Sequence, residues 1–353
     1  MQHKPKFISI EGLFPRLYKS LPGYLKGVIH CVTAGTGVGK TKFTKFAFLL
    51  HGYQYCKANN MPFYAIWFAL EEDEETFWIS LLCDLMFERY GLSLTYYQYN
   101  GYHEGRTEEH DRIIKELLPE IEEMKKVIKV VDYVSNPTGI YKTIQKFMEP
   151  LGVKKEGIVD QDEFGNKWSS FEFIYHNPDT QVMVIIDHMT LVTSEKNKFA
   201  DADTKHKAIG KLSEYFVKFI AKKYLTIPVI IQQQVANTGS AEDLKMGRAE
   251  PTLDKLGVNK EVQQEYQVVL GLFNPQSCTP SIDNYGGYNT KLFGSHFRSC
   301  KILKHRKGDN DGKSVGMYFH GATNKYEELP PAVIKQGERL ITNPELETYY
   351  INN

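Results

Sequence analysis

GVIHCVTA (27–34) is an apolar run of strand length. It is followed by KTKFTKFAFLLHGYQYCK (40–57), in which Phe43, Phe46, Ala47 and Leu50 recur at helical spacing. The alternation continues. PFYAIWFALEE predicts a strand from Phe63 to Leu70 that ends at two acids, and EETFWISLLCDLMFERYG predicts a helix closed by Gly91. TEEHDRIIKELLPEIEEMKKV predicts a helix kinked at Pro119, VIKVVDY a short strand, and NPTGIYKTIQKFMEPL a turn and a helix. QVMVIIDHMTLV (181–192) reads as a strand interrupted by one aspartate, KAIGKLSEYFVKFIAKKYL as an amphipathic helix, and IPVIIQQQ as the next strand. YQVVLGLF and FRSCKILKHRKGDNDGKSVGMYFHG predict late strands, the latter a hairpin turning at GDNDG. Strands alternating with helices predict an α/β domain, with a mostly parallel central sheet flanked by helices.

Two segments depart from this rhythm. GIVDQDEFGNKWSSFEFIY (157–175) alternates apolar and polar residues around FGN, which predicts a β-hairpin insertion within about 153–178. The polar stretch VANTGSAEDLKMGRAEPTLDKLGVNKE is too long for an ordinary connection and reads as a functional loop. The expected organisation is an arm over 1–20 for contact with a neighbouring subunit, one domain over 21–328 carrying the insertion, and a tail over 329–353.

Composition narrows the class. The 353 residues contain 43 Lys+Arg and 43 Asp+Glu, so formal charge is zero and any nucleic-acid contact must be local, through a few loops. No run of 18 apolar residues suggests a membrane span. The N-terminus MQHKPKFISIEG has no secretory h-region. Five cysteines without a CxxC pair suit a reducing compartment, so a cytoplasmic protein without a zinc site is expected.

The chemistry centres on TAGTGVGKT (33–41). It fits a phosphate-binding loop between strand and helix, with Ala34 where the first glycine usually stands. Backbone N–H groups of Gly35, Thr36, Gly37, Val38, Gly39, Lys40 and Thr41 can ring phosphates, and the helix that follows points its positive end at them. Lys40 would neutralise β- and γ-phosphate charge and the Thr41 hydroxyl would ligate Mg²⁺, which makes ATP with Mg²⁺ the expected ligand. Asp187 ends an apolar strand, where a charge is costly unless it lies at the sheet's carboxyl edge; a second, water-mediated Mg²⁺ role is assigned to it. Glu71 and Glu72 also end a strand, and one of them would orient and deprotonate an attacking water. Gln234, at a third strand end, would sense the γ-phosphate, although three glutamines in a row blur the choice.

LPGYLKGVIHCVTAGTGVGKT, ALEE, VIIDHMTLV, AKKYLTIPVIIQQQ and KHRKG occur in an order that resembles the RecA-fold motor domain of DnaB-family hexameric replicative helicases, over about residues 20–325. LEE is close to the version in phage primase-helicases, and KHRKG is similar to the family's Lys-x-Arg-x-Gly element. The resemblance implies a RecA-like P-loop NTPase. In it Glu71 is the catalytic base, Gln234 the sensor, and Lys304 and Arg306 act in trans on a neighbour's ATP. It also implies a homo-oligomer, a hexameric ring, moving on single-stranded DNA during replication, with a primase or helicase loader as partner. Two loops, around 194–207 and 236–262, would touch the DNA, with Lys196, Lys198, Lys205, Arg248, Lys255 and Lys260 as phosphate contacts. As a departure from the family, no N-terminal helical domain and no primase or zinc-binding domain is expected within these residues. The span from Lys40 to Asp187 is longer than usual, and the family's DLRESG loop is only partly matched by LDKLGVNK. A RecA/RadA-like recombination ATPase and a non-motor ATP-binding assembly factor are the alternative readings.

Overall fold

The computed structural model describes residues 6–161, 167–195, 205–234, 249–256, 260–308, 312–321 and 323–351. The first strand of the central sheet, β1 (His30–Ala34), leads through the glycine-rich turn into a helix, α1, over 40–58. That helix is π-helical over Lys45–Leu50 and α-helical on either side. Next come β2 (Phe63–Ala69), α2 (Glu74–Tyr90), α3 (Glu108–Val127), β3 (Ile128–Val131) and α4 (Pro137–Met148). The helix starts follow local chemistry. Asp73 accepts from the Thr76 N–H at 2.7 Å, Thr107 and His110 form a capping box, and Asn136 precedes Pro137 at the first turn of α4. Gly91, at φ 65°, closes α2. α3 runs through Pro119 as one helix.

The second half contains the hairpin β4 (Gly152–Gln161) and β5 (Lys167–Tyr175), then β6 (Gln181–Asp187), helix α5 (Lys205–Tyr215, continued by a π-helical turn Phe216–Ala221) and β7 (Ile227–Gln233). It ends with β8 (Val268–Phe273), β9 (Phe297–His305), β10 (Ser314–His320) and β11 (Lys325–Glu328). The central sheet has nine strands in the order β11–β10–β9–β8–β1–β7–β6–β2–β3. From β8 to β3 every neighbour is parallel; β9, β10 and β11 extend the sheet antiparallel.

Strand alternation divides the core. In β6, Met183 and Ile185 face one layer while Val182, Val184 and Ile186 face the other; in β2, Ala65 and Trp67 oppose Ile66 and Phe68. The first layer holds α1, α2, α3 and the N-terminal segment, and the second holds α4, α5 and the hairpin. Burial on both faces explains why these strands read as unbroken apolar runs. The segment expected as an arm packs on its own chain from Ile8 onward: Phe14 stacks on Phe43 at 5.9 Å, and the Arg16 and Leu17 N–H groups donate to the Glu328 carboxylate. In the expected tail, Leu346 and Ala332 are buried in a small third cluster with Phe293 and Phe297.

The hairpin pairs only with itself, outside the nine-stranded sheet, and runs from Gly152 to Tyr175, close to the expected span of about 153–178. Its inner face is nonetheless core. Phe171 and Phe173 are buried, with ring centres each 5.1 Å from Tyr224. Among the described residues no helix is long and apolar enough to cross a membrane.

Candidate active site

The carboxyl ends of β1, β2, β6 and β7 lie side by side. Register places Ala34 beside Gln233 and Ala69 beside Asp187. The glycine-rich turn leaves β1 there, with Gly37 at φ 73° and Gly39 at φ 107°, conformations that side-chain-bearing residues resist. A cleft of about 300 Å³ opens above the turn. It is lined by Thr36, Gly37, Gly39, Lys40, Thr41 and Lys42 of the turn and helix start, by Glu71, His188 and Gln233 at the strand ends, and by Phe319.

Lys40 Nζ donates to the Gly35 carbonyl at 3.0 Å. The Thr41 hydroxyl donates to Asp187 Oδ1 at 3.1 Å, so the two oxygen ligands expected for Mg²⁺ converge beneath the loop. Asp187 is buried, and that burial, reinforced by Glu72 and Glu71, pushes its pKa up to about 7 against the lowering effect of Thr41. Burial likewise lowers the pKa of Lys40, while Glu71 and Asp187 pull it back up. A hydroxyl and a crowded carboxylate are hard oxygen donors, and such crowding is relieved by a divalent cation; this donor set fits Mg²⁺.

The two glutamates part company. Glu71 lines the cleft with its side chain 52% exposed, and its Oε1 lies 2.8 Å from His188 Nε2. Glu72 turns back toward α1, where Oε1 meets Lys45 Nζ at 2.7 Å; Lys45 is only 2% exposed and lies over the Phe77 ring. Burial lowers the His188 pKa, opposed by Glu71, and the Nδ1 atom meets the Thr190 hydroxyl. A neutral ring with Nε2–H donating to Glu71 and Nδ1 accepting from Thr190 satisfies both contacts.

The expected γ-phosphate sensor requires a correction. Gln234 points away from the cleft: its Nε2 donates to the Thr252 carbonyl at 3.1 Å, and it bridges to Leu256. Gln233 faces the loop instead, donating to the Thr36 hydroxyl at 2.7 Å. The reason is strand alternation. Ile231 faces the α1 layer and Ile230 the other, so Gln233 follows Ile231 toward the phosphate loop and Gln234 follows Ile230 away from it.

Lys304 and Arg306 stand together but far from this cleft. Lys304 Nζ donates to the carbonyls of Gln263, at 2.8 Å, and Gln264, at 3.1 Å; Arg306 Nη2 also donates to Gln264. These carbonyls end the short helix Lys260–Glu265, a favourable place for cations. Ser299 lies opposite Phe273 and Lys304 opposite Val269. Because β8 runs parallel to β1, the Ser299 end of β9 is at the phosphate-loop edge and the Lys304 end is at the opposite edge. Of the expected DNA contacts, Lys196, Lys198 and Arg248 lie outside the described residues. Lys205 is exposed at the start of α5, Lys255 donates to the Glu250 carbonyl at 3.1 Å, and Lys260 begins the short helix.

No protein-family model matches the sequence, and no curated protein is similar to it in sequence. Solved structures are similar in fold. A DnaB-like replicative helicase, described with its interactions with primase, superposes with a TM-score of 0.65 at 14% identity. The alignment covers 93% of this chain and 65% of that one. A second solved structure, that of an ATPase domain, superposes with a TM-score of 0.63 at 15% identity, covering 93% of each chain. The chain shares its fold with both structures. The RecA-like α/β architecture expected from the ordered motifs is therefore present. The chain spans about two thirds of the length of the DnaB-like helicase it matches.

Sequence reasoning passed over His188, Gln233, Lys42 and Phe319, which line the cleft, and Arg298 and Tyr326, which touch the loop from behind. His188 was within reach as the residue after a strand-ending aspartate. Phe319, Arg298 and Tyr326 belong to antiparallel strands distant in sequence, and nothing in their local pattern points to the loop.

Proposed function

We propose that this chain is the ATP-hydrolysing motor of a ring-forming helicase that moves on single-stranded DNA during replication. The observation that carries the reading is one cleft in which a phosphate loop, the Thr41–Asp187 pair and the exposed carboxylate of Glu71 come together, in a fold like that of DnaB-like helicase ATPase domains. Backbone N–H groups of the loop and Lys40 bind the phosphates of ATP. Thr41 and Asp187 would hold Mg²⁺, which would supply positive charge against the phosphates. Glu71 orients water and takes its proton; His188 holds that carboxylate in place. Gln233 takes the sensor role first assigned to Gln234, because its amide already lies on the loop.

Lys304 and Arg306 cannot serve this chain's own cleft from the far edge of the sheet, so a role on ATP requires a second copy. That favours the oligomeric motor, a hexameric ring, over a monomeric ATPase. A primase or loader is the expected protein partner, and loops near 194–207 and 236–262 the DNA grip. The test is ATP turnover with and without single-stranded DNA, joined to a fork-unwinding assay. DNA-stimulated turnover with strand separation is expected. Turnover indifferent to DNA would favour a non-motor ATP-binding factor, and DNA-bound filaments without unwinding, seen by electron microscopy, a recombination ATPase.

A further inference from the structure

The last two peptide planes of the phosphate loop are gripped from behind by the antiparallel strands. Arg298, near the start of β9, is buried; its Nε donates to the Val38 carbonyl at 2.8 Å, and its Nη1 to the carbonyls of Ser295 and Phe297 at 2.8 and 2.7 Å. The guanidinium carbon lies 4.8 Å from the centre of the Phe319 ring, which borders the cleft. Tyr326 of β11, also buried, donates its hydroxyl to the Gly39 carbonyl at 3.0 Å. None of these partners of Arg298 is a carboxylate, so its charge adds to the positive field behind the loop.

Both peptides are trans, and across a trans peptide the carbonyl and the next N–H point in opposite directions. A Val38 carbonyl turned to Arg298 turns the Gly39 N–H the other way; a Gly39 carbonyl turned to Tyr326 does the same for Lys40. Gly39 is bound to this arrangement twice over. Its φ is 107°, and a Cβ there would come within 2.4 Å of the Tyr326 hydroxyl.

We propose that Arg298, assisted by Tyr326, is a positioning residue for the phosphate loop: it holds the Val38–Gly39 and Gly39–Lys40 peptides with their N–H groups aimed at the nucleotide. The inference rests on the nucleotide-site reading above. It makes β9 and β11, two of the three antiparallel strands, part of their own chain's nucleotide site.

The experiment uses the full chain as Arg298→Met, Arg298→Lys and Tyr326→Phe. Each is measured for melting temperature without nucleotide, for affinity toward a fluorescent ADP analogue with Mg²⁺, and for kcat and KM of ATP turnover. Arg298→Met is expected to weaken nucleotide binding and raise KM by roughly tenfold to a hundredfold, the size of a lost hydrogen bond to a charged group. Arg298→Lys, which keeps the charge, should recover part of this. Tyr326→Phe should lose roughly threefold to tenfold with its fold intact. Should Arg298→Met not fold, the other two variants decide. Wild-type affinity and KM in the folded variants would overturn the inference, as would a Lys variant no better than Met with affinity falling only in step with melting temperature. A wild-type chain that binds no nucleotide would instead overturn the reading beneath it.

Discussion

Glu71 and Glu72 are neighbours with unlike surroundings, so the same change should act differently at each. Glu71→Gln keeps the shape of the cleft and removes the proposed base; ATP binding should persist while turnover falls by at least about a hundredfold, the size of general-base catalysis. Glu72→Gln leaves Lys45, 2% exposed, without its carboxylate. Its main effect should be a lower melting temperature, from a loss of about 1–3 kcal/mol, discounted from the cost of breaking a fully buried pair because Glu72 is 20% exposed. Measuring turnover and thermal unfolding of both variants separates the roles, and a dead Glu72→Gln beside an active Glu71→Gln would reverse them. His30 supplies a pH test at the same scale. It is buried between Tyr24 and Phe48, and burial lowers its pKa to about 4 from an ordinary 6.5. Between these values the unfolded chain takes up a proton that the folded chain does not, so this residue makes stability rise with pH from about 4 to 6.5. His30→Phe should flatten melting temperature against pH in that window, and an unchanged slope would show that the ring is protonated in the fold.

At the scale of elements, the hairpin shows how a correct pattern can mislead about consequence. Alternation in 157–175 indicates an insertion outside the catalytic sheet, and β4 and β5 indeed pair only with each other. From that pattern alone, deletion should leave ATPase largely intact. The structure withdraws this expectation, because Phe171 and Phe173 close the second core layer over Tyr224 and Phe219, and Tyr175 donates its hydroxyl to the Tyr224 carbonyl at 2.6 Å. Phe173→Ala should cost about 3–5 kcal/mol of unfolding free energy, readable by denaturant titration. A cost below about 1 kcal/mol would mean that the hairpin is only draped on the core. Gln233 and Gln234 make the same point for a single strand: adjacent side chains enter different layers, and only one meets the phosphate loop.

For the whole molecule, the governing geometry is that β9 spans the sheet from edge to edge. Its Arg298 end is beside this chain's phosphate loop, while Lys304 and Arg306 stand at the other edge on the end of a short helix. Arg306 offers a planar fork suited to phosphate, and an arginine supplied in trans contributes about 10³ to 10⁵ in rate in related phosphoryl transfer. Arg306→Ala should therefore bind ATP nearly normally yet hydrolyse it poorly. Mixed with Lys40→Ala, which lacks the main phosphate partner, it should regain part of the activity, since some interfaces then pair an intact loop with an intact Arg306. No recovery over a range of mixing ratios, with subunit exchange shown separately, would count against the shared site.

Residue order alone is enough to establish the α/β alternation, the glycine-rich turn that leads into Lys40 and Thr41, and the carboxylates that end β2 and β6, because these depend on local period and on residues close along the chain. An apolar run bounded by a charge marks the carboxyl edge of a buried parallel strand whatever surrounds it. That Glu71 lines the cleft while Glu72 pairs with Lys45, and that Gln233 lies on the loop where Gln234 was expected, came from three-dimensional packing. Packing also joined Arg298 and Tyr326 to peptides more than 250 residues away and set Arg306 on the far edge. Those outcomes depend on which layer a strand face meets and on which strands become neighbours. Both are settled by contact between distant segments, which a local pattern of apolar and polar residues does not encode.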